Sequence, residues 1–310
     1  MSEVLIAGEL EPFLRQETVP ADLSVRLLAA DAEIPAGDYC GILPVLTRRI
    51  TEPDLERAPR LRVIANYGAG HDNVDVVAAR RRGIAVSNTP DVLTEATAEL
   101  TWALILATAR RLGEGERLVR AGEWHGWAPR QLLGMSLAGK TLGIVGAGRI
   151  GSEVARRAGA FGMRVAYWSR SRAAGLERDG RALFLELHEL LASCDVVSVH
   201  LALTPATEGL LDAQAIARMK PHAILINTSR GRIIDEAALA AALERGAIRG
   251  AGLDVYSNEP TVPSRLLQLD NVVLLPHLGS ATEEARMGMW RLAWQNLLRG
   301  VRGEPLLNPI

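Results

Sequence analysis

The sequence predicts an α/β protein of two domains, each built on an open, doubly wound parallel sheet. Three observations support this fold class. At 310 residues the chain is long for a single hydrophobic core, and a composition of 48% apolar and 23% charged residues is typical of globular proteins. Short β-rich runs alternate with helical patterns in both parts of the chain, as in parallel sheets. A glycine-rich turn lies between one such run and a helical pattern.

The larger predicted domain, residues 98–284, contains six strand-like runs separated by helical patterns. These runs are Leu142–Val145, Val165–Trp168, Val196–Val199, Ala223–Ile226, Ala251–Val255 and Val272–Leu275. Asp235 is the predicted N-cap of a helix over Glu236–Arg245, and Gly246 is its stop signal. Six strands with intervening helices match the doubly wound sheet that binds dinucleotides.

The smaller predicted domain consists of residues 1–97 and 285–310. Its strand-like runs predict a second open sheet, of flavodoxin-like α/β type, and are Val4–Ala7, Val25–Leu28, Gly41–Val45, Val63–Ala65 and Ile84–Val86. The stretch Thr94–Arg111 is rich in alanine and leucine and predicts one long helix that joins the two halves. Glu283–Leu298 predicts a further helix that crosses back to the small domain.

The glycine-rich turn predicts a Rossmann dinucleotide-binding site. The turn follows the first strand of the larger domain and consists of Gly146, Ala147, Gly148, Arg149, Ile150 and Gly151. Gly146 permits a sharp exit from the strand, Gly148 lets the backbone approach a pyrophosphate, and Gly151 lets the helix lie near the sheet. The free N–H groups at the start of the helix then face the phosphates.

The residues after the next strand favour NADP(H) as the cofactor. NAD-preferring sites carry a carboxylate about twenty residues past the glycines. Here the segment is Ser169-Arg170-Ser171-Arg172, with two guanidinium groups and no carboxylate. Arginine binds a 2′-phosphate through charge-assisted hydrogen bonds. NADP(H) is therefore the preferred cofactor and NAD(H) a possible one. The alternative is that both arginines belong to an ordinary solvated loop.

Composition argues against several classes of partner. The formal net charge of −1 shows no basic excess of the kind that nucleic acid or an anionic membrane attracts. The longest apolar stretch, Trp102–Ala109, is too short to span a bilayer, and the N-terminus lacks a secretory pattern. Cys40 and Cys194 are far apart without metal-ligand company, so we expect no metal site and a reducing, cytoplasmic location.

Two of the six tryptophans, Trp124 and Trp127, lie in the turn-rich segment 122–129. Exposed tryptophan in such a segment is typical of an interface. The alternative is that both rings cover their own domain, because tryptophan is usually well buried.

Three polar residues follow strand-like runs of the larger domain, where the ligands of open α/β sheets collect. Arg230 follows the Ala223–Ile226 run, Glu259 follows the next run and His277 the last. Each alone has an ordinary explanation as a loop residue. Together they suit carbonyl reduction. An imidazole can protonate the new alkoxide near neutral pH, a carboxylate can favour its charged form, and a guanidinium can bind a substrate carboxylate.

Over essentially its whole length the chain resembles the D-isomer-specific 2-hydroxyacid dehydrogenases, and among them most the glyoxylate and hydroxypyruvate reductases. Besides the three loops just described, the residues that carry this resemblance are Tyr67-Gly68-Ala69-Gly70-His71-Asp72, Asn88-Thr89-Pro90-Asp91, and Gly139-Lys140-Thr141 leading into the glycine turn.

The resemblance implies that His277 is the acid/base, Glu259 its partner and Arg230 the substrate anchor. It also implies that the N–H groups of Ala69 and Gly70 hold the substrate carboxylate. Further positions implied to contact the cofactor are Asp254, on the nicotinamide carboxamide, and Thr228, Ser229, Leu278 and Gly279.

The resemblance also implies a homodimer in which the loop bearing Trp127 reaches into the partner subunit and completes its active site. We further expect Leu46 to form a wall of the substrate pocket.

Three positions help to choose among members of the family. Formate dehydrogenases have glutamine where Glu259 stands, and phosphite-oxidising relatives have lysine where Ala69 stands, so neither activity fits. Many members have proline two residues after the histidine at His200, where this chain has Ala202, which puts the local loop shape in doubt.

The sequence therefore predicts a cytoplasmic homodimer that reduces glyoxylate, and hydroxypyruvate, with NADPH. One alternative is an NAD-linked dehydrogenase of another D-2-hydroxy acid, such as lactate, glycerate or a branched 2-keto acid. An alternative from another class is a nicotinamide-sensing regulatory protein, which retention of Arg230, Glu259 and His277 disfavours.

Overall fold

The computed structural model describes residues 2–30, 32–178 and 182–310, which form two compact units. One unit comprises Met1–Leu93 and Ala281–Ile310, and the other comprises Thr94–Ser280. Each unit contains a parallel sheet flanked by helices, so the predicted α/β fold class with two doubly wound sheets is confirmed. That the first unit binds the substrate and the second the cofactor stays a prediction.

The first unit has a five-stranded sheet in the order β2-β1-β3-β4-β5, in which every pairing is parallel. Its strands are β1 (Ser2–Ala7), β2 (Leu23–Leu28), β3 (Gly41–Leu43), β4 (Val63–Ala65) and β5 (Ala85–Ser87). This strand order is that of flavodoxin-like sheets. The helices are α1 (Glu11–Leu14), α2 (Glu52–Glu56), α3 (Val76–Arg81) and α12 (Glu283–Val301).

Helix α12 belongs to the first unit because small residues let it lie directly on the sheet. A Cβ at Gly300 would lie 2.5 Å from Cβ of Val63 in β4. A Cβ at Gly41 in β3 would lie 2.7 Å from Cδ1 of Leu297. The opposite face of the sheet packs a separate apolar core around Leu5, Ile42 and Ile64. The predicted helix over Glu283–Leu298 is thus present and slightly longer.

The second unit has a seven-stranded sheet in the order β12-β11-β10-β9-β6-β7-β8, again with parallel pairings throughout. Its strands are β6 (Thr141–Val145), β7 (Arg164–Trp168), β8 (Ala182–Phe184), β9 (Val196–Val199), β10 (Ile224–Asn227), β11 (Gly250–Leu253) and β12 (Val272–Leu274). The six predicted strands are present, and together with β8 they give the Rossmann order β8-β7-β6-β9-β10-β11, with β12 added at the edge. The sequence analysis missed β8, a three-residue edge strand without fully buried residues.

Helices cover both faces of this second sheet. They are α4 (Thr94–Ala109), α5 (Leu112–Arg120), α6 (Arg149–Arg157), α7 (Ala174–Glu177), α8 (Leu187–Ser193), α9 (Ala213–Ala217), α10 (Glu236–Glu244) and α11 (Ser264–Leu267). Helices α4 and α6 pack together, with the Trp102 and Phe161 rings stacked 4.3 Å apart and Trp102 Nε1 donating to the Val154 carbonyl oxygen.

Local hydrogen bonds and backbone conformations set the boundaries of helices α10 and α4. Asp235 accepts the Ala238 N–H, and Gly246 adopts φ 64° just after α10, so the predicted cap and stop are confirmed. The predicted helix over Thr94–Arg111 instead ends at Ala109, because Arg111 adopts φ 55° and both its Nε and Nη2 bond to Glu114. The chain then starts α5, which the sequence analysis did not predict.

In the part of the chain that the structure describes, no helix combines the length and the apolar character needed to cross a bilayer.

Candidate active site

Arg230, Glu259 and His277 lie on the loops that follow β10, β11 and β12. These three strands are neighbours in the sheet of the second unit. Because parallel strands share one carboxyl edge, their loops meet there, which is where ligands of open α/β sheets bind.

Glu259 and His277 form a hydrogen-bonded pair. Nδ1 of His277 lies 2.7 Å from Oε2 of Glu259, and the second carboxylate oxygen accepts the Tyr256 N–H at 3.0 Å. Burial alone raises the pKa of Glu259. The hydrogen bond and charge of His277, the Tyr256 N–H and the charge of Arg230 outweigh burial and hold this pKa below its ordinary value. Glu259 is therefore ionised at neutral pH, and Nδ1 donates to it, which leaves Nε2 of His277 for proton transfer.

Asp254 holds the His277 loop against the end of β11. Its fully buried carboxylate accepts the N–H groups of Leu278 at 2.6 Å and Gly279 at 2.8 Å. Its carbonyl oxygen accepts the His277 N–H at 2.9 Å. Burial raises the pKa of Asp254 even though both N–H bonds lower it. These bonds fix His277 at φ 55°, a left-handed conformation that side-chain-bearing residues rarely adopt outside functional sites and turns.

Gly231 lets the Arg230 loop approach the Glu259 loop. A Cβ at position 231 would lie 2.0 Å from the Tyr256 carbonyl carbon and 2.3 Å from the Ser257 nitrogen, so no side chain fits. Arg230 itself is half-buried, and its Nη1 donates to the Ser229 carbonyl oxygen at 2.9 Å. The structure thus brings the three predicted catalytic residues to one place, while their catalytic roles stay predictions.

A chain of buried threonines connects two of these loops through α4. Thr97 Oγ1 donates to the Gly279 carbonyl oxygen at 3.0 Å, and Thr101 Oγ1 donates to the Thr97 carbonyl oxygen at 2.8 Å. Thr101 Oγ1 also lies 2.9 Å from Thr228 Oγ1, in the loop after β10. The sequence analysis missed Thr97 and Thr101. Their only signal was a pair of polar residues on one face of an apolar helix.

The glycine turn fits the pyrophosphate of a dinucleotide. Gly146 has φ 104°, and a Cβ at Gly151 would lie 2.0 Å from the Gly146 carbonyl oxygen, so both positions need glycine. A Cβ at Gly148 would meet open space, and Gly148 is exposed at the start of α6. No side chain caps that helix within the described residues.

His200 follows β9 beside the glycine turn. A Cβ at Gly146 would lie 2.6 Å from the His200 carbonyl oxygen, and His200 Nε2 lies 2.8 Å from Ser198 Oγ. Burial lowers the pKa of His200 to about 3, so this imidazole is neutral. The loop beyond it is closed by Thr207, whose Oγ1 donates to the Ala202 carbonyl oxygen at 2.7 Å. This bond holds the loop at Ala202, the position where many proteins of the family that the sequence resembles have proline.

The basic segment after β7 contains one arginine that is already paired. Nε and Nη2 of Arg172 donate to Glu177 at 2.6 and 2.9 Å, and its guanidinium lies 4.7 Å from the Phe184 ring centre. Arg170 is exposed, and Ser169 Oγ donates to the Ser171 carbonyl oxygen. Of the two arginines, Arg172 is therefore bound to a carboxylate and Arg170 is exposed, and phosphate binding by this segment stays a prediction.

In the first unit, the carbonyl groups of the loop Gly68-Ala69-Gly70 accept hydrogen bonds from other residues of that unit. The Gly68 oxygen accepts the Thr89 N–H at 2.9 Å, the Ala69 oxygen accepts Asn88 Nδ2 at 2.6 Å, and the Gly70 oxygen accepts Asn66 Nδ2 at 2.8 Å. Within the described residues the Ala69 and Gly70 N–H groups have no acceptor. That this loop binds an anion stays a prediction.

Leu46 lies against this loop. A Cβ at Gly68 would be 2.2 Å from Cδ2 of Leu46, so the leucine side chain covers the Gly68 Cα. The sequence analysis missed Asn66, whose side chain is completely buried and also bonds to Asn73.

Trp124 and Trp127 are exposed, at 54% and 82%. They therefore do not serve to cover their own domain. Among residues 2–30, 32–178 and 182–310, no three His, Cys, Asp or Glu side chains are grouped to hold a metal ion.

Comparison with known proteins identifies the family. Residues 102–279, more than half of the chain, match the NAD-binding domain of D-isomer-specific 2-hydroxyacid dehydrogenases. The chain belongs to this family. It is therefore an oxidoreductase with a nicotinamide-binding domain, and the predictions of family and enzyme class are confirmed.

The relatives of this dehydrogenase include two archaeal proteins named glyoxylate reductase. The one from Thermococcus kodakarensis is 49% identical over 271 residues, which cover 86% of this chain and 81% of the relative. The one from Pyrococcus horikoshii is 45% identical over 300 residues, which cover 96% and 87%.

A solved structure similar to this dehydrogenase is the NADPH-dependent glyoxylate/hydroxypyruvate reductase of Sinorhizobium meliloti, in complex with NADP and malonate. Its TM-score is 0.90 at 36% sequence identity, with coverage of 100% of this chain and 96% of that chain.

Proposed function

We propose that this dehydrogenase reduces glyoxylate, and hydroxypyruvate, to the 2-hydroxy acid, with NADPH as the preferred reductant. The observation that carries the proposal is the Glu259–His277 pair beside Arg230 at the carboxyl edge of the second unit's sheet. Relatives named glyoxylate reductase, at 45 to 49% identity, support the choice of substrate.

A nicotinamide cofactor, when bound, would supply the hydride. His277, protonated and hydrogen-bonded to Glu259 through Nδ1, delivers a proton from Nε2 to the substrate oxygen. The ionised Glu259 stabilises the imidazolium before transfer and keeps the ring oriented. General acid catalysis of this kind contributes about 10² to 10⁴-fold to the rate.

In the second unit, the Arg230 guanidinium binds the substrate carboxylate. In the first unit, the N–H groups of Ala69 and Gly70 are the proposed donors to a carboxylate. The hydrogen bonds of the 68–70 loop support this second role, because its carbonyl groups are bound by Thr89, Asn88 and Asn66, while the Ala69 and Gly70 N–H groups have no acceptor among the described residues. Leu46, which covers Gly68, limits the size of the substrate side chain and so favours small 2-keto acids.

The residues that would hold the cofactor lie along the carboxyl edge of the second sheet. The turn formed by Gly146, Ala147, Gly148, Arg149, Ile150 and Gly151 would bind the pyrophosphate. Arg170, with Ser169 and Ser171, would bind the 2′-phosphate. Asp254 would bond to the carboxamide with lone pairs that Leu278 and Gly279 leave unused, and Thr228 and Ser229 would line the nicotinamide side.

The protein acts as a homodimer through the segment that bears Trp127. Helix α5 has no buried residue in the described chain, and Val119, Trp127 and Leu133 are exposed at 60%, 82% and 55%. An apolar surface of this kind is typical of an interface. Sedimentation should show a dimer, and Trp127→Ala should weaken it. A monomer that is fully active would contradict this part of the proposal.

Steady-state kinetics with a panel of 2-keto acids test the proposed function. We expect the highest kcat/KM for glyoxylate or hydroxypyruvate with NADPH, and a lower value with NADH. Preference for a branched keto acid with NADH would instead support another D-2-hydroxyacid dehydrogenase. Tight cofactor binding without turnover would support a regulatory protein.

A further inference from the structure

The loop that carries Glu259 is held by a second carboxylate that the catalytic set does not include. Glu236, the first residue of α10, accepts the Ser257 N–H through Oε1 at 2.8 Å. Gly231 packs against the peptide group that joins Tyr256 to Ser257. The segment between Asp254 and Glu259 is thus fixed from one side by Gly231 and by Glu236.

This contact cannot be explained as helix capping. The cap of α10 is Asp235, whose side chain accepts the Ala238 N–H at 2.9 Å. Glu236 turns away from its own helix and toward a loop 21 residues further along the chain. A half-buried carboxylate in that position loses hydration, and its Ser257 N–H bond compensates in part.

Glu236 and Glu259 also act on each other through charge. Burial raises the pKa of Glu236 and the Ser257 hydrogen bond lowers it, while the charge of Glu259 raises it further. The other charged groups facing the Glu259–His277 pair are Arg230 after β10 and Asp254 after β11. Glu236 therefore adds negative charge near Glu259.

We infer that Glu236 is a positioning residue for the reaction. It fixes the Ser257 N–H so that Glu259 points at His277, and its negative charge favours the protonated form of the pair. This inference rests on the proposed function, in which His277 donates a proton.

Two variants separate the hydrogen bond from the charge. Glu236→Gln keeps an acceptor for the Ser257 N–H and removes the charge, whereas Glu236→Ala removes both. Glu244→Gln, at the exposed far end of the same helix and paired with Arg265, is the matched control. For each protein we would measure the pH dependence of kcat/KM for glyoxylate with NADPH. The His277 ring would be titrated by NMR in the cofactor-free protein.

We expect Glu236→Gln to keep kcat/KM within about threefold at the optimum. Its alkaline limb and the His277 titration should move to lower pH by about 0.5 pH unit. Glu236→Ala should lose about tenfold or more in kcat with a smaller change in KM, because Glu259 is no longer held in place. The control should match the wild type in both measurements.

An unmoved titration in both variants would overturn the inference, even if activity fell, because a merely structural role changes stability without changing the pair's protonation. If the wild-type protein fails to reduce glyoxylate, the proposed function fails. The NMR titration needs no turnover and still decides the role of Glu236.

Discussion

At His277 the backbone and the side chain are set by different neighbours. Asp254 fixes the main chain through its carbonyl oxygen and its bonds to the next two N–H groups, whereas Glu259 fixes the imidazole ring. Separate restraints on position and orientation give the precision that proton transfer needs.

The proposed preference for NADPH depends on a single residue, Arg170. Arg170→Ala should lower kcat/KM with NADPH about tenfold to a hundredfold, because one or more charge-assisted bonds to the 2′-phosphate are lost, and should leave NADH nearly unchanged. Arg172→Ala is the control, since that guanidinium is already bound to Glu177. Equal losses with both cofactors would show that Arg170 does not contact the phosphate.

The sequence predicts Arg230, Glu259 and His277 because each follows a strand whose pattern is clear. It does not predict the hydrogen bonds that Thr101, Asn66 and Glu236 make to the loops. Thr101 bonds to a residue 127 positions away, and Glu236 to one 21 positions away. These hydrogen bonds join segments that are distant in the sequence, and the local pattern of apolar and polar residues gives no information about them.

At the scale of elements, the Arg230 loop can lie against the Glu259 loop because position 231 is glycine. Gly231→Ala would place a Cβ 2.0 Å from the Tyr256 carbonyl carbon and force the Arg230 and Glu259 loops apart. We expect kcat/KM to fall at least tenfold and the protein to lose about 1 to 3 kcal/mol of stability.

Gly159→Ala is the control for that variant, because a Cβ there meets open space and the backbone is not left-handed. Kinetics and thermal unfolding of both variants check the prediction. A fully active Gly231→Ala protein would mean that the two loops need not touch.

The amino edge of the second sheet depends on Asp195. Its carboxylate accepts the Thr141 N–H at 2.8 Å, Lys220 Nζ at 3.1 Å and His222 Nε2 at 2.9 Å, and so connects the starts of β6, β9 and β10. Burial alone raises the pKa of Asp195, but these bonds and the Lys220 charge lower it to about 2.

A carboxylate with a lowered folded-state pKa stabilises the fold at pH values above its ordinary pKa, and this contribution is lost as pH falls toward the folded-state value. Asp195→Asn should therefore cost about 2 kcal/mol near neutral pH, with the difference from the wild type shrinking below pH of about 4. Thermal unfolding at several pH values measures this. Asp38→Asn, on the surface, should show no such trend. If the stability difference between Asp195→Asn and the wild type did not change with pH, the lowered pKa of Asp195 would be contradicted.

Element prediction fails where pattern is weak. Strand β8 has three residues, and helix α5 carries its apolar residues on the surface, so neither shows the burial pattern on which prediction relies. Strands β9 and β10 are largely apolar and fully buried, and the sequence predicts both of them correctly.

On the scale of the whole molecule, the chain contains two parallel sheets with different strand orders. The first unit contains the 68–70 loop, in which the Ala69 and Gly70 N–H groups have no acceptor among the described residues, and the second contains the glycine turn and the Arg230, Glu259 and His277 loops. Both sheets follow from alternating β-rich and helical patterns. For Trp124 and Trp127, the sequence supports only a hypothesis that they lie at an interface.

The central claim is that His277 donates the proton in reduction of a small 2-keto acid. The most direct test is kcat/KM of His277→Asn for glyoxylate with NADPH, together with the NADPH dissociation constant. We predict a loss of about 10² to 10⁴-fold in kcat/KM with cofactor binding unchanged. A variant that keeps wild-type kcat/KM would contradict the claim.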